Sequence, residues 1–113
     1  MDTVTSDTRT VPVNAGNWQS EIFASNQPVL VDFWAEWCAP CRALSPVLEA
    51  VAATLPWLKV VTVDVGAYPA IPAEMSVQSL PTLLLVKDGV VRGQVRAGTL
   101  RQVLQGVNEC MEL

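Results

Sequence analysis

The chain has 113 residues, of which half are apolar and 16% are charged, and its formal net charge is -4 at pH 7. This length predicts one domain with its own core and excludes a two-domain enzyme that carries a separate dinucleotide-binding fold. The acidic balance argues against partners such as nucleic acid or anionic membranes. The sequence has no apolar run of membrane-helix length and no signal-peptide pattern in residues 1–10, so we expect a cytoplasmic protein.

The sequence contains no histidine and three cysteines, which are Cys38, Cys41 and Cys110. The lack of histidine excludes Ser-His-Asp hydrolases, Cys-His proteases and most zinc enzymes. An odd and low number of cysteines also differs from the dense, even frameworks of secreted disulfide-rich domains. Few catalytic mechanisms remain, and two of the cysteines stand close together in the sequence.

The start of the chain predicts an arm followed by a helix. Residues 1–10 are polar and show no apolar periodicity, so we expect a flexible N-terminal arm ahead of a single domain at residues 11–113. A short extended piece is expected near Thr10 to Val13. Apolar residues at helical spacing from Trp18 to Phe23 then predict a helix that ends near Asn26 to Pro28.

The next segments predict a parallel strand pair joined by a helix. Residues 29–35 read VLVDFWA, an apolar and Val-rich run that is typical of a strand buried on both faces. Apolar residues recur at spacings of three and four from Cys41 to Leu55, which predicts a helix kinked at Pro46. A second Val-rich strand follows at Leu58 to Val65, so the first half of the chain is α/β.

The second half of the chain predicts antiparallel strands and a closing helix. Residues 66–81 contain recurring prolines and are expected to form a connection. Asp88-Gly89 is a two-residue hairpin signal between the predicted strands Thr82 to Lys87 and Val90 to Val95. Beyond Gly98, helical spacing of apolar residues predicts a helix to about Met111.

Cys38 and Cys41 lie in the segment AEWCAPC, between a predicted buried strand and a predicted helix. Unpaired backbone N–H groups and the helix dipole at such a position favour the thiolate form of Cys38. Cys41, one turn inside the helix, is shielded and can resolve a mixed disulfide formed at Cys38. Pro40 suits the first helical turn, where its missing N–H has no partner in any case. The segment therefore predicts dithiol-disulfide exchange.

Two other uses of a Cys-X-X-Cys pair stay open. A structural zinc site needs two further ligands, and the chain offers only Cys110 and no histidine. A purely structural disulfide would close a very short loop and so constrain the unfolded chain little.

Three separated blocks of the sequence resemble the thioredoxin family. Residues 29–41, VLVDFWAEWCAPC, look like the active-site strand and turn. Arg42 to Leu48, RALSPVL, keeps the proline that kinks the following helix, and Leu80 to Gly89, LPTLLLVKDG, is similar to the cis-proline strand and hairpin. The blocks agree with the family in order and spacing, and the resemblance covers about residues 11–109.

The resemblance implies an α/β thioredoxin fold, in which three parallel strands and an antiparallel C-terminal hairpin form a mixed five-stranded sheet flanked by four helices. It implies that Cys38 is the exposed attacking thiol, Cys41 the resolving thiol and Asp32 the buried carboxylate behind them. The Leu80-Pro81 bond is expected to be cis. Substrate contacts are expected at Trp37, Ala39, Pro40, Leu80, Pro81 and Gly98.

The resemblance also implies reaction partners. Protein disulfides are the expected substrates, and the redox-active disulfide Cys38-Cys41 would be recharged from NADPH through a flavoprotein thioredoxin reductase. We expect a monomer with no bound cofactor, no metal, and no nucleic-acid or membrane partner. Two alternative functions stay open. One is a docking module whose thiols are incidental, and the other is a dedicated thiol oxidase or relay for one partner.

Several positions depart from the family pattern. Ala39 stands where the common turn WCGPC has Gly, Thr62 stands where many members carry a Lys near the buried acid, and Gly98 is one position out of register in the last active-site loop. Asp32 is the only charge in its apolar strand, and the cost of burying a lone carboxylate favours a functional role. Cys110 is expected to be a buried thiol, with a regulatory intermolecular disulfide as the alternative.

Overall fold

The computed structural model describes residues 9–112. The described chain forms five strands and four helices in the order β1 (Val11–Pro12), α1 (Trp18–Phe23), β2 (Val29–Trp34), α2 (Ala39–Thr54), β3 (Lys59–Asp64), α3 (Ala70–Glu74), β4 (Thr82–Lys87), β5 (Val90–Val95) and α4 (Leu100–Met111). The strands make one mixed sheet in the order β1-β3-β2-β4-β5, which confirms the predicted fold class.

The sheet combines a parallel half and an antiparallel half. β3 runs parallel to both β1 and β2, whereas β4 runs antiparallel to β2 and to β5. The connection from β2 to β3 passes through α2, as a parallel crossover requires. The turn between β4 and β5 holds Asp88 at φ 55° and Gly89 at φ 76°, and these positive values fit a tight two-residue hairpin. β2 therefore lies in the middle of the sheet, with a partner on each side.

Alternate residues of the central strands pack into two separate cores. On one face, the side chains of β2 and β3 at Leu30 and Val60 pack with residues of α2 and α4. On the other face, Val31 and Val61 pack with residues of α1 and α3. Because successive strand residues point to opposite faces, a strand covered on both sides must be apolar throughout. Asp32 in the middle of β2 is the exception.

The helix bounds differ slightly from the predicted ones. α2 begins at Ala39 rather than at Cys41, because Cys38 is the N-cap and Pro40 fits the first turn without an N–H. α1 ends at Phe23, before the predicted end near Asn26. Within residues 9–112, no helix is both long and apolar enough to cross a membrane.

The predicted N-terminal arm lies mostly outside the described residues. Its last two residues both hydrogen bond to the carboxylate of Glu49 on α2. The backbone N–H of Arg9 donates to Oε1 at 2.8 Å, and the hydroxyl of Thr10 donates to Oε2 at 3.0 Å. These contacts hold the chain just before β1 against the active-site helix.

Candidate active site

The two cysteines of the Cys-X-X-Cys segment meet where β2 ends and α2 begins. Cys38 and Cys41 form a disulfide, with their Cα atoms 5.3 Å apart. Cys38 occupies the N-cap, and its Sγ accepts a hydrogen bond from the backbone N–H of Cys41 at 3.3 Å. An N-cap side chain that accepts such a bond satisfies one of the free donors of the first helical turn. A backbone N–H of the first turn of α2 therefore points at the sulfur of Cys38.

The surroundings of the disulfide are more closed than the resemblance implied. Cys38 is 7% exposed and Cys41 is 3% exposed, because both pack with Ala35 in a small apolar cluster. Leu80 packs against the same cluster. The expectation of an exposed attacking thiol is therefore wrong for this oxidised form, although Cys38 is the more accessible of the two cysteines. The exposed side chain here is Trp37, at 74%.

A groove of about 570 Å³ lies beside the first turn of α2 and reaches the redox segment at Pro40, between the two cysteines. Pro40, Pro81 and Gly98 all contribute to its lining, together with Ala43, Leu44, Gln94, Val95, Arg96 and Ala97. The Leu80-Pro81 peptide bond is cis, as predicted. The structure thus brings three of the six predicted contact residues into one concave surface. Ala39 is exposed in the first turn of α2, and the described groove lining does not include it, Trp37 or Leu80.

Asp32 lies in the centre of β2, directly opposite Thr62 on β3 and Leu83 on β4. The residue is only 5% exposed, and its Oδ1 atom has no hydrogen-bond partner among the described residues. Burial favours the neutral acid and raises the pKa of Asp32 from 3.8 to about 7. The carboxyl group can therefore gain and lose a proton near neutral pH.

A second cavity, of about 400 Å³, joins this carboxyl to the buried cysteine. Asp32, Cys41 and Thr62 line it, as do Thr10, Trp34, Arg42 and Ser45. Cys41 therefore borders this acid-lined cavity, whereas the groove reaches the redox segment at Pro40. A cavity of this size and polarity has room for water, so a proton could pass between Asp32 and Cys41 directly or through a water molecule.

Sequence reasoning did not identify the residues that complete this second cavity. Arg42 and Ser45 follow Cys41 at spacings of one and four, and the helical period of α2 could have indicated Ser45 as a neighbour on the same face. Thr10 carries no such signal, because its place depends on how the N-terminal segment meets α2. Arg42 also donates a hydrogen bond from Nη1 to the backbone carbonyl of Glu36 in the active-site loop.

The third cysteine lies apart from this site. Cys110 is a buried free thiol on α4, and burial together with the neighbouring Glu109 carboxylate raises its pKa. In the part of the chain that the structure describes, no three His, Cys, Asp or Glu side chains are grouped so that they could hold a metal ion. The described site thus brings together the two sulfur atoms of the disulfide and one buried acid.

Comparisons with known proteins agree with this architecture. The thioredoxin family model matches residues 9–108. In the solved structures, a chain from a study of thiol resolution in a yeast mitochondrial 1-Cys peroxiredoxin through the glutathione and thioredoxin systems superposes with a TM-score of 0.78. That chain is 27% identical, and the match covers 88% of this chain and 94% of the other.

Curated relatives give the same result at higher identity. The thioredoxin of Mycolicibacterium smegmatis is 39% identical over 88% of this chain and 96% of its own length. The thioredoxin of Haemophilus influenzae is 39% identical over 86% of this chain and 92% of its own length. A shorter match to the thioredoxin of Chlamydia muridarum is 54% identical over 54% of this chain. With its disulfide at the start of α2, this chain belongs to the thioredoxin family of dithiol-disulfide oxidoreductases.

Proposed function

We propose that the chain reduces disulfides of other proteins, with Cys38 as the attacking thiol and Cys41 as the resolving thiol. The observation that supports this assignment is the hydrogen bond from the Cys41 backbone N–H to Cys38 Sγ. After reduction, the same donor and the helix N-terminus favour a thiolate at Cys38, and the thiolate is the nucleophilic form. Cys41 has no equivalent place at the helix end.

The reaction transfers two electrons in two exchange steps. The Cys38 thiolate attacks one sulfur of the substrate disulfide, and that bond breaks to give a mixed disulfide and one substrate thiolate, which takes up a proton. The Cys41 thiol then loses its proton and attacks Cys38 Sγ. The intramolecular disulfide forms, the second substrate thiolate leaves, and the substrate is fully reduced while the chain is oxidised.

Asp32 is the acceptor for the proton that Cys41 loses. It shares a cavity with Cys41, and a pKa of about 7 places its two protonation states at similar populations in neutral solution. A base whose pKa lies near the working pH is well matched to proton transfer. Because the carboxylate is costly to ionise while buried, protonation by Cys41 also relieves the desolvation penalty.

The substrate chain lies in the groove beside the disulfide. Pro40, Pro81 and Gly98 form its walls, and Trp37 offers a flat apolar surface next to Cys38. Ala39 and Leu80 complete the surroundings of the sulfur atoms, since Ala39 is exposed in the first helical turn and Leu80 packs on the disulfide cluster.

Reducing equivalents would come from NADPH through a flavoprotein thioredoxin reductase, which acts on the same Cys38-Cys41 disulfide. We place this activity in the cytoplasm as a monomeric electron carrier of cellular redox homeostasis. Support comes from the curated thioredoxin relatives and from the free thiol Cys110, which fits a reducing compartment better than an oxidising one.

Reduction of insulin by dithiothreitol in the presence of the protein tests this proposal. Wild type and Cys110→Ser should accelerate insulin precipitation, whereas Cys38→Ser and Cys41→Ser should not, because each lacks one partner of the disulfide. Pre-reduced Cys41→Ser that has been freed of dithiothreitol should in addition retain insulin as a stable mixed disulfide through Cys38. Acceleration by Cys38→Ser would contradict the assignment of the attacking thiol, and failure of wild type to act would contradict the proposed activity and favour a docking module. Coupling to a thioredoxin reductase and NADPH then tests the direction of electron flow.

A further inference from the structure

The groove beside the disulfide carries one charged residue among the nine that line it. This residue is Arg96, and its neighbours along the groove are proline, small or aliphatic residues and Gln94. Arg96 is exposed, and within residues 9–112 its guanidinium makes no ion pair. A single unneutralised cation in an otherwise uncharged groove determines the sign of the local potential there.

Backbone pairing places Arg96 next to the cis-proline segment. Val95 is the last paired residue of β5 and lies opposite Leu83 on β4. Because β4 and β5 are antiparallel, the chain after Val95 runs alongside the chain that precedes Leu83, which contains Pro81. Arg96 consequently stands at the wall of the groove that also contains Pro81 and Pro40, which lies between the two cysteines.

We infer that Arg96 is a specificity-determining residue that favours substrates with Asp or Glu beside the reactive cysteine. The guanidinium presents several N–H donors in a planar fork that matches a carboxylate. This inference rests on the proposed reduction of protein disulfides and adds a substrate class to it. The predicted preference for acidic substrates is opposite to the one that the whole chain would give, because its net charge of -4 would by itself favour basic substrates.

Three matched peptides test the preference. Each contains one internal disulfide and differs only at the residue next to one cysteine, which is Glu, Gln or Lys. The pre-reduced protein is mixed with each peptide in single turnover, and the second-order rate constant is followed by tryptophan fluorescence at low and high salt. Wild type should reduce the Glu peptide about two- to five-fold faster than the Lys peptide, the range expected of one exposed charge pair. High salt should diminish this ratio.

Substitutions at Arg96 and at a matched position separate a local effect from a general one. Arg96→Gln should remove the Glu-over-Lys preference, and Arg96→Glu should reverse it. Arg101→Gln makes the same change in net charge on α4, where Arg101 is exposed and lines a different cavity, and it should retain the wild-type ratio.

The possible results separate the role of Arg96 from the proposed reductase activity. Absence of a preference in wild type, a preference for the Lys peptide, or equal loss in Arg101→Gln would overturn the assignment of Arg96. Reduction of the Gln peptide without any charge preference would leave the proposed reductase activity standing and refute the inference alone. Failure to reduce any of the three peptides would refute both.

Discussion

Replacing Asp32 by Asn should stabilise the oxidised protein at neutral and alkaline pH. The same substitution should slow the reduction of substrate disulfides by the reduced protein. Asp32 lies in the middle of β2 and is 5% exposed. Its Oδ1 atom has no hydrogen-bond partner among the described residues. Ionisation of this carboxyl inside the fold therefore costs free energy that the neutral amide of Asn does not incur. The same substitution removes the group proposed to accept the proton of Cys41.

The size and pH range of the effect follow from the pKa of Asp32, which burial raises from 3.8 to about 7. Below about pH 4 the carboxyl is protonated in both the folded and the unfolded state, so ionisation costs nothing. Between these two pKa values the unfolded state loses its proton first, and wild-type stability falls as pH rises. The loss becomes complete above about pH 8, at about 4 kcal/mol. This is an upper bound, because the Asn amide is also desolvated.

Urea unfolding of the oxidised protein from pH 4 to pH 9 measures this effect. The free energy of unfolding of Asp32→Asn relative to wild type should rise through this range and become constant above about pH 8, at about 2–4 kcal/mol. Glu74→Gln, which changes an exposed acid on α3, serves as the control and should show no such rise. A difference that does not vary with pH, or destabilisation by Asp32→Asn at pH 8, would refute the reasoning. An unchanged rate of insulin reduction would refute the proton-transfer role.

Three further substitutions test other parts of the structure. Thr62→Lys places a cation opposite the buried carboxyl and should lower its pKa in the folded state, so the fall in stability of this variant should be smaller than in wild type and end at a lower pH in the same urea series. Gly89→Ala should cost about 1 kcal/mol or more in thermal or urea unfolding, because φ is 76° and the new Cβ would lie 3.2 Å from a backbone oxygen, whereas Gly16→Ala should be close to neutral. Gly98→Ala would bring a Cβ within 2.1 Å of Gln102 Oε1, which accepts from the backbone N–H at the N-cap of α4. It should therefore cost about 1 kcal/mol in wild type and much less in a Gln102→Ala background.

Features that depend on neighbouring residues were predictable from the sequence. The β4 and β5 bounds match the predicted ones, because the turn residues Asp88 and Gly89 determine the hairpin within a few positions. The spacing of Cys38 and Cys41, with Pro40 between them, likewise predicted a helix start at the redox pair. These signals involve residues only a few positions apart in the sequence, so they can be interpreted without knowledge of the tertiary packing.

Features that depend on distant parts of the chain were not predictable in the same way. Thr10 lines the cavity beside Asp32 because it is held by Glu49, 39 residues later in the chain, and no local pattern indicates that contact. The near-complete burial of Cys38 depends on packing against Leu80 from the segment before β4. Arg96 similarly reaches the groove only because β5 pairs with β4.

The order of thiol reactivity tests the central claim, that Cys38 attacks and Cys41 resolves, most directly. The fully reduced protein is exposed to a limiting amount of iodoacetamide at neutral pH, and peptide mass spectrometry locates the label over time. Cys38 should be alkylated first and Cys41 much more slowly, because the helix N-terminus favours a thiolate at Cys38 and Cys41 is the less accessible of the two. Faster labelling of Cys41, or equal labelling of the two, would contradict the account.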